Sequence, residues 1–253
     1  MVRSALLVTF GVAITAFFSF WAIVFSVFKN AENNVHKVAV IWSRLVLRLC
    51  SAKVDVLGLE NVLPGKPQVF MANHQSDLDI LIALAHLPGQ VRCIAKKEVF
   101  AIPIVGLVMK RAGYVELDRQ NPGKDIKALG AAAGRIREGK SVVVFPEGTK
   151  SRRGQVKPFE EEMFCVAIES GVPIVPVSII VSVEMMTSRS LQAVPGRIKM
   201  VIDKPVPTNN YTAENSRELM QKVRNVIIVN YDVYHETGTP DITQNRPEMN
   251  CVI

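Results

Sequence analysis

Cysteine is scarce here and scattered. Cys50, Cys93, Cys165 and Cys251 form no CxxC pair and no Cys/His cluster. This excludes a disulfide framework and a thiolate zinc site, leaving buried free thiols in a reducing compartment as the expectation. Beyond His74, the histidines His36, His86 and His235 fall in no motif, so a histidine-built metal centre lacks its third and fourth ligands. The chain has no internal repeat and no low-complexity tract. Hydrophobic residues make up 49% of its 253 positions, enough for one substantial domain with a real core, which excludes disorder as the main state. Acids are outnumbered, Asp and Glu 23 against Lys and Arg 30, for a net charge of +7. That excess points to an anionic partner: a nucleic acid, a phosphorylated metabolite or an acidic membrane. No basic stripe is interleaved with aromatics, so a nucleic acid is not expected.

Charge is missing altogether from Ala5 to Phe28, a run of 24 residues. As a helix it would measure roughly 36 Å against a hydrocarbon core of about 30 Å. The run is too long for the apolar region of a signal peptide and ends in no clean cleavage site, so it is expected to stay and to anchor the chain. Whether it spans the bilayer or lies in one leaflet stays open. From Lys37 to Cys50, Val38, Ile41, Trp42, Leu45, Val46 and Leu49 recur at helical spacing, with Lys37, Arg44 and Arg48 on another face. That pattern fits a basic amphipathic helix on an anionic surface, or a helix facing the core of the globular domain. Lys29, Lys37, Arg44 and Arg48 follow the apolar run and only Arg3 precedes it, which favours a membrane-anchored protein with its main domain on the cytoplasmic face, at the inner membrane if the source is bacterial.

The remainder alternates short β-rich runs with helical patterns. Strands are expected at Val54–Leu57, Gln68–Ala72, Val91–Ala95, Gly113–Leu117, Ser141–Phe145, Ile174–Ile180 and Arg197–Ile202. Helices are expected near Ser76–His86, Glu98–Arg111, Pro122–Glu138, Glu160–Ser170 and Thr212–Val229. Such alternation implies an α/β fold, a largely parallel sheet flanked by helices. The expected division is residues 1–50 as a two-helix membrane-anchoring unit, 51–235 as the α/β domain and 236–253 as a loose tail.

In an open parallel sheet, ligands sit beyond the carboxyl ends of the strands, so motifs that follow strand ends can converge. In MANHQSDLD, His74 follows one strand and Ser76 with Asp79 reads as a capping-box-like helix start. Asp79 can then fold back on His74, and an imidazole held on one nitrogen by a carboxylate is poised as a general base. The substrate can bring its own hydroxyl, so no serine or cysteine nucleophile is needed. On these residues alone, Asp79 as a simple helix cap remains open. In FPEGTKSRRG, Gly148, Thr149, Lys150, Arg152 and Arg153 offer the amides, hydroxyl and cations that a phosphate needs. Glu147 would accept from a polyol hydroxyl or orient those cations. Arg119, in GYVELDRQ, would clamp a phosphate or pair with Glu116 or Asp118.

These blocks resemble a family. NHQSDLD is similar to the NHxxxxD block of the glycerolipid acyltransferases, GYVELDR to their GxxxxxR block, FPEGTKS to FPEGTRS and VPIVPV, residues 172–177, to the proline-bearing fourth block. The linking stretch 95–113, which includes Lys96, also looks like that of the 1-acylglycerol-3-phosphate acyltransferases. The resemblance implies His74 as base, Asp79 as its orienting partner, and Arg119, Glu147, Gly148, Thr149, Lys150 and Lys96 as substrate binders. It implies transfer of a fatty acyl chain from acyl-CoA or an acyl carrier protein to lysophosphatidic acid, making phosphatidic acid, with no cofactor and no metal. Glycerol-3-phosphate or another lysophospholipid is the nearest alternative acceptor, and a non-catalytic membrane-surface binding protein is the alternative from another class. Two departures stand out: Lys150 replaces an arginine, and Glu160, Glu161 and Glu162 stand where the family has a lysine-rich run.

Overall fold

The computed structural model describes residues 2–118, 122–151, 155–181 and 196–236, with side chains omitted at 2–8, 122–126, 235 and 236. Seven strands form one sheet: β1 (Ala52–Leu57), β2 (Val69–Ala72), β3 (Val91–Lys96), β4 (Val115–Leu117), β5 (Ser141–Val144), β6 (Ile174–Val181) and β7 (Gly196–Ile202). Their order is β1-β7-β6-β2-β5-β3-β4. All pairings are parallel except β6 with β7, so β7 and β1 run against the other five. All seven expected strands are present, with ends shifted by up to two residues.

The central strands are buried on both faces, which is why VFMA, SVVV and IVPVSIIV read as unbroken apolar runs. Successive residues supply opposite cores. Val69 and Met71 of β2 and Val142 and Val144 of β5 face α6 (Pro122–Arg137), α7 (Cys165–Ser170) and α8 (Ser216–Glu236). Phe70, Ala72 and Val143 instead join Leu47 of α2 (Ala31–Leu49) and Ile82 of α3 (Leu78–His86). Pro176 is tolerated inside β6 because it pairs with Met71 of β2 while the β7 ladder begins only at Val177.

Three helical expectations change in form. The stretch Glu98–Arg111 is broken into α4 (Lys97–Phe100) and α5 (Val105–Arg111) by a turn at Pro103 and Ile104. Residues 161–170 begin as a 3-10 turn, Glu161–Phe164, before α7. α8 starts later and runs longer than its apolar spacing suggested, and the expected tail lies outside the described residues from 237 onward.

α1 (Val2–Phe25) packs its small residues Ser19 and Ala22 inward, with Ser26 buried just past its end, while Phe17, Phe20 and Trp21 stay exposed. Trp42 Nε1 donates to Thr15 Oγ1 at 3.2 Å and fixes α1 to α2. Among the described residues, no helix is long and apolar enough to cross a membrane. α2 buries Val35, His36, Val38, Ser43 and Leu47 and leaves Ile41 exposed, so much of its apolar stripe is covered by protein. Of the described cysteines, which are free, Cys93 is fully buried while Cys50 and Cys165 are half-buried at helix ends, against the expectation of burial for all.

Candidate active site

His74 stands two residues beyond β2, and its main chain is clamped from β5. Its N–H donates to Glu147 Oε1 at 2.8 Å, and its C=O accepts the Ser151 N–H at 2.8 Å. Asn73 fastens the other side. Its side-chain amide donates to Ile179 O at 2.8 Å and its carbonyl accepts Ile179 N–H at 2.7 Å. A side chain thus continues the β2–β6 ladder where the main chain leaves it, and the β2 end is fixed between both neighbours.

With the proton on Nδ1, the His74 imidazole donates to Asp79 Oδ2 at 3.0 Å. The same oxygen accepts the N–H groups of Gln75 and Ser76 at 2.6 and 2.7 Å. Ser76 Oγ accepts Leu78 N–H at 3.2 Å, so the capping motif forms although α3 starts two residues later than expected. Asp79 is fully buried; helix start and imidazole orientation are one network. Phe145 lies against the ring with centroids 4.6 Å apart, which fixes its plane. Behind them, Tyr231 of α8 approaches Gln75. Burial, together with the carboxylates of Asp232, Glu147 and Asp79, pushes the tyrosine hydroxyl above its ordinary pKa, and the nearby Gln75 amide opposes that.

The loop after β5 turns at once: Gly148 N–H donates to Phe145 O at 3.2 Å, and Gly148 has φ +70°, the left-handed region that favours glycine. Glu147 is buried, and its second oxygen accepts Lys157 N–H at 3.1 Å. Burial raises its pKa, opposed by the two N–H bonds and by the nearby His74 and Lys157. Both carboxylate oxygens are therefore engaged with main chain. Lys157 Nζ donates to Thr149 Oγ1 at 3.0 Å and to Lys150 O at 2.7 Å. Lys150 Nζ meets Asp77 Oδ2 at 2.6 Å, bridging this loop to the one bearing His74. Both partners are substantially exposed, so that ion pair contributes at most about 1 kcal/mol, and an anion can compete for the lysine.

His74, Lys96, Gly148 and Lys150 line one cavity of about 250 Å³ together with Phe145 and Leu117. A second cavity, about 330 Å³ and apolar, runs between α1, α2, α3 and α5, lined among others by Phe18, Trp42, Leu84 and Val108. The two share Asp77, Ile80, Ala95 and Val99 in their walls. A cavity with a histidine and two lysines in its wall thus adjoins a greasy one. Among the described residues, no group of three or more His, Cys, Asp and Glu side chains forms a metal-ligating set.

The structure therefore brings His74, Asp79, Glu147, Gly148, Thr149, Lys150 and Lys96 to the carboxyl ends of β2, β5 and β3. Arg119, Arg152 and Arg153 lie outside the described residues; of the acids beside Arg119, Glu116 reaches Lys110 at 3.8 Å and Asp118 reaches Lys97 at 3.2 Å. Sequence reasoning missed Asn73, Phe145 and Lys157. Asn73 and Phe145 sit inside the NHQSDLD and FPEGTKS blocks, while Lys157 stands between the loop and the acidic run. Within the acidic run Glu161 has a structural task, because it accepts Ser216 Oγ at 2.6 Å and Arg217 Nε at 3.3 Å and so ties down the start of α8.

A family model described as Acyltransferase matches residues 53–180. The chloroplastic 1-acyl-sn-glycerol-3-phosphate acyltransferase BAT2 of Brassica napus is 34% identical over 174 residues, 68% of this chain and 50% of its own length. The human 1-acyl-sn-glycerol-3-phosphate acyltransferase alpha is 30% identical over 212 residues, 83% of this chain and 73% of its own. This chain spans about half the length of the plant relative. The crystal structure of the 1-acyl-sn-glycerophosphate (LPA) acyltransferase PlsC from Thermotoga maritima matches with a TM-score of 0.77 at 26% identity, over 92% of this chain and 96% of that one.

Proposed function

Because the chain belongs to the acyltransferase family, we propose that it moves a fatty acyl group from a thioester, acyl-CoA or acyl carrier protein, to the free 2-hydroxyl of lysophosphatidic acid. The observation that carries this is the His74–Asp79 pair at 3.0 Å in a cavity that also bears Lys96 and Lys150 and that adjoins an apolar one. With Nδ1 held by Asp79, Nε2 is the nitrogen available to a substrate hydroxyl. It takes the hydroxyl proton as the oxygen attacks the thioester carbonyl, and Asp79 stabilises the resulting imidazolium. The tetrahedral oxyanion collapses, the C–S bond breaks, and the imidazolium returns the proton to the departing thiolate. The products are phosphatidic acid and a free thiol.

Charge and shape divide the substrates. Lys96, Lys150, Lys157 and the Thr149 hydroxyl favour the phosphate, joined by Arg119 in the expectation from the family blocks. Glu147 supports them through the main chain. The apolar cavity suits an acyl chain, its volume falling near the lower end of the range for ligand sites. α1 serves as a one-leaflet anchor: docked along one side, it offers Phe17, Phe20 and Trp21 to lipid. The excess of Lys29, Lys37, Arg44 and Arg48 after α1 supports, as part of this proposal, a domain on the cytoplasmic face.

The test is thiol release and phosphatidic acid formation by purified protein given lysophosphatidic acid and either thioester, beside His74→Ala. The expected result is a loss of at least three orders of magnitude in turnover with an unchanged melting temperature. Equal activity in the variant would sink the base assignment. Activity on lysolipids without a phosphate monoester, but none on lysophosphatidic acid, would sink the substrate assignment.

A further inference from the structure

The turn between α4 and α5 is unfavourable on two counts. Ile104 has φ +66° and ψ −54°, and Val105 N–H donates to Pro103 O across it at 2.7 Å. This is a γ-turn of the strained hand, a conformation in which a β-branched residue is a true outlier. The strained turn also displays greasy side chains to the outside: Ile102 is 49% exposed, Ile104 54% and Leu107 46%. Strain of this kind persists where a local shape has a use, and burying Ile104 is not that use.

Three neighbouring features identify that use. The nine residues from Ala101 to Met109 carry no charge, and the basic pairs Lys96–Lys97 and Lys110–Arg111 bracket them, with Glu98 the one acid in the stretch. α5 packs against α1, so the exposed apolar surface continues onto Phe17, Phe20, Trp21 and Phe25. Ile102 and Val105 also line the apolar cavity, which makes this turn part of its outer wall.

We propose that the Ile102–Leu107 turn is a wedge that enters an anionic phospholipid bilayer beside the apolar cavity, so that acyl chains pass between leaflet and cavity without crossing water. The uncharged tip is buried among acyl chains and the basic pairs remain at the headgroups. The inference rests on the acyltransferase reading for its purpose, but not for its geometry.

The test uses the full chain in vesicles of phosphatidylcholine and phosphatidylglycerol brominated high on the acyl chains. Ile104→Trp adds emission to that of Trp21 and Trp42, and the added emission is expected to be quenched at least twofold. Added emission that escapes quenching while the wild type is quenched overturns the wedge and leaves α1 in the membrane. Quenching of neither overturns both. A second variant, Ile104→Asn, suits a positive φ better than isoleucine does, so folding should not suffer. It is expected to keep or raise the melting temperature and to slow acyl transfer within vesicles several-fold, with turnover of a short-chain, water-soluble donor unchanged. Unaltered turnover in vesicles overturns the wedge. A wild type that transfers no acyl group would sink the acyltransferase reading instead, and the quenching result would still decide the wedge.

Discussion

Glu147 illustrates how much of this site is held by main chain. Its two oxygens accept the N–H groups of His74 and Lys157, residues on different loops. A glutamine there offers one acceptor and one donor, so one buried N–H loses its partner and faces an NH₂ group. Leaving a buried donor unsatisfied costs about 1 to 3 kcal/mol, and a displaced His74 loses its aim on the reacting hydroxyl. Glu147→Gln should therefore lower the melting temperature by roughly 2 to 12 °C and cut kcat at least tenfold, with a much smaller change in acceptor KM. A rise in KM at constant kcat would instead mean that the carboxylate touches the substrate. His74 and Asp79 were legible because their contact spans five residues and is written into one helix start. Asn73 was not, since its partner Ile179 lies 106 positions away, and only the sheet order brings the two together.

At the level of elements, the central strands were readable because burial on both faces forces apolar β-branched runs, whereas the α4–α5 break was not. Nothing in the spacing of Glu98–Arg111 announces a γ-turn, and Pro103 alone is compatible with a kinked helix. What makes the break possible is Gly106. A Cβ there would sit 1.9 Å from Phe100 O and 2.6 Å from Phe100 C, main-chain atoms that cannot rotate away. Gly106→Ala should push α5 off the end of α4 and cost about 2 to 3 kcal/mol, a fall of roughly 4 to 10 °C in melting temperature. Gly134 in α6 is the contrast, with nothing within 4 Å of an added Cβ. Gly134→Ala should stabilise the protein by about 0.5 to 1 kcal/mol through helix propensity alone. Equal melting temperatures for the two variants would refute the close-approach account of the break.

Across the whole molecule, the end of the sheet opposite the active site is a polar knot that locks α2 to the α/β domain. Arg92, fully buried on β3, and Lys140 both donate to Asn33 Oδ1 at 2.8 Å, and Arg135 meets Glu32 at 3.0 Å. His36 is buried in the same place, its Nδ1 3.1 Å from the Tyr114 hydroxyl. Burial first, then the Arg92 guanidinium, lowers its pKa to about 4, with Lys140 adding to the fall and a hydrogen bond to the Gly89 backbone opposing it. The folded protein thus keeps this imidazole neutral at pH values where the unfolded chain, with a pKa near 6.5, binds a proton. His36 contributes stability that is fully present above about pH 6.5 and is lost as pH falls through about 4. The loss is about 3 kcal/mol when complete and about 2 kcal/mol between pH 7 and 5. Urea unfolding of wild type and His36→Gln over this range should show curves that converge as the pH drops, because glutamine does not titrate. Curves that stay parallel from pH 7 to 5 would show that the imidazole takes up its proton inside the folded knot, and that acid does not loosen the grip of α2 on the sheet.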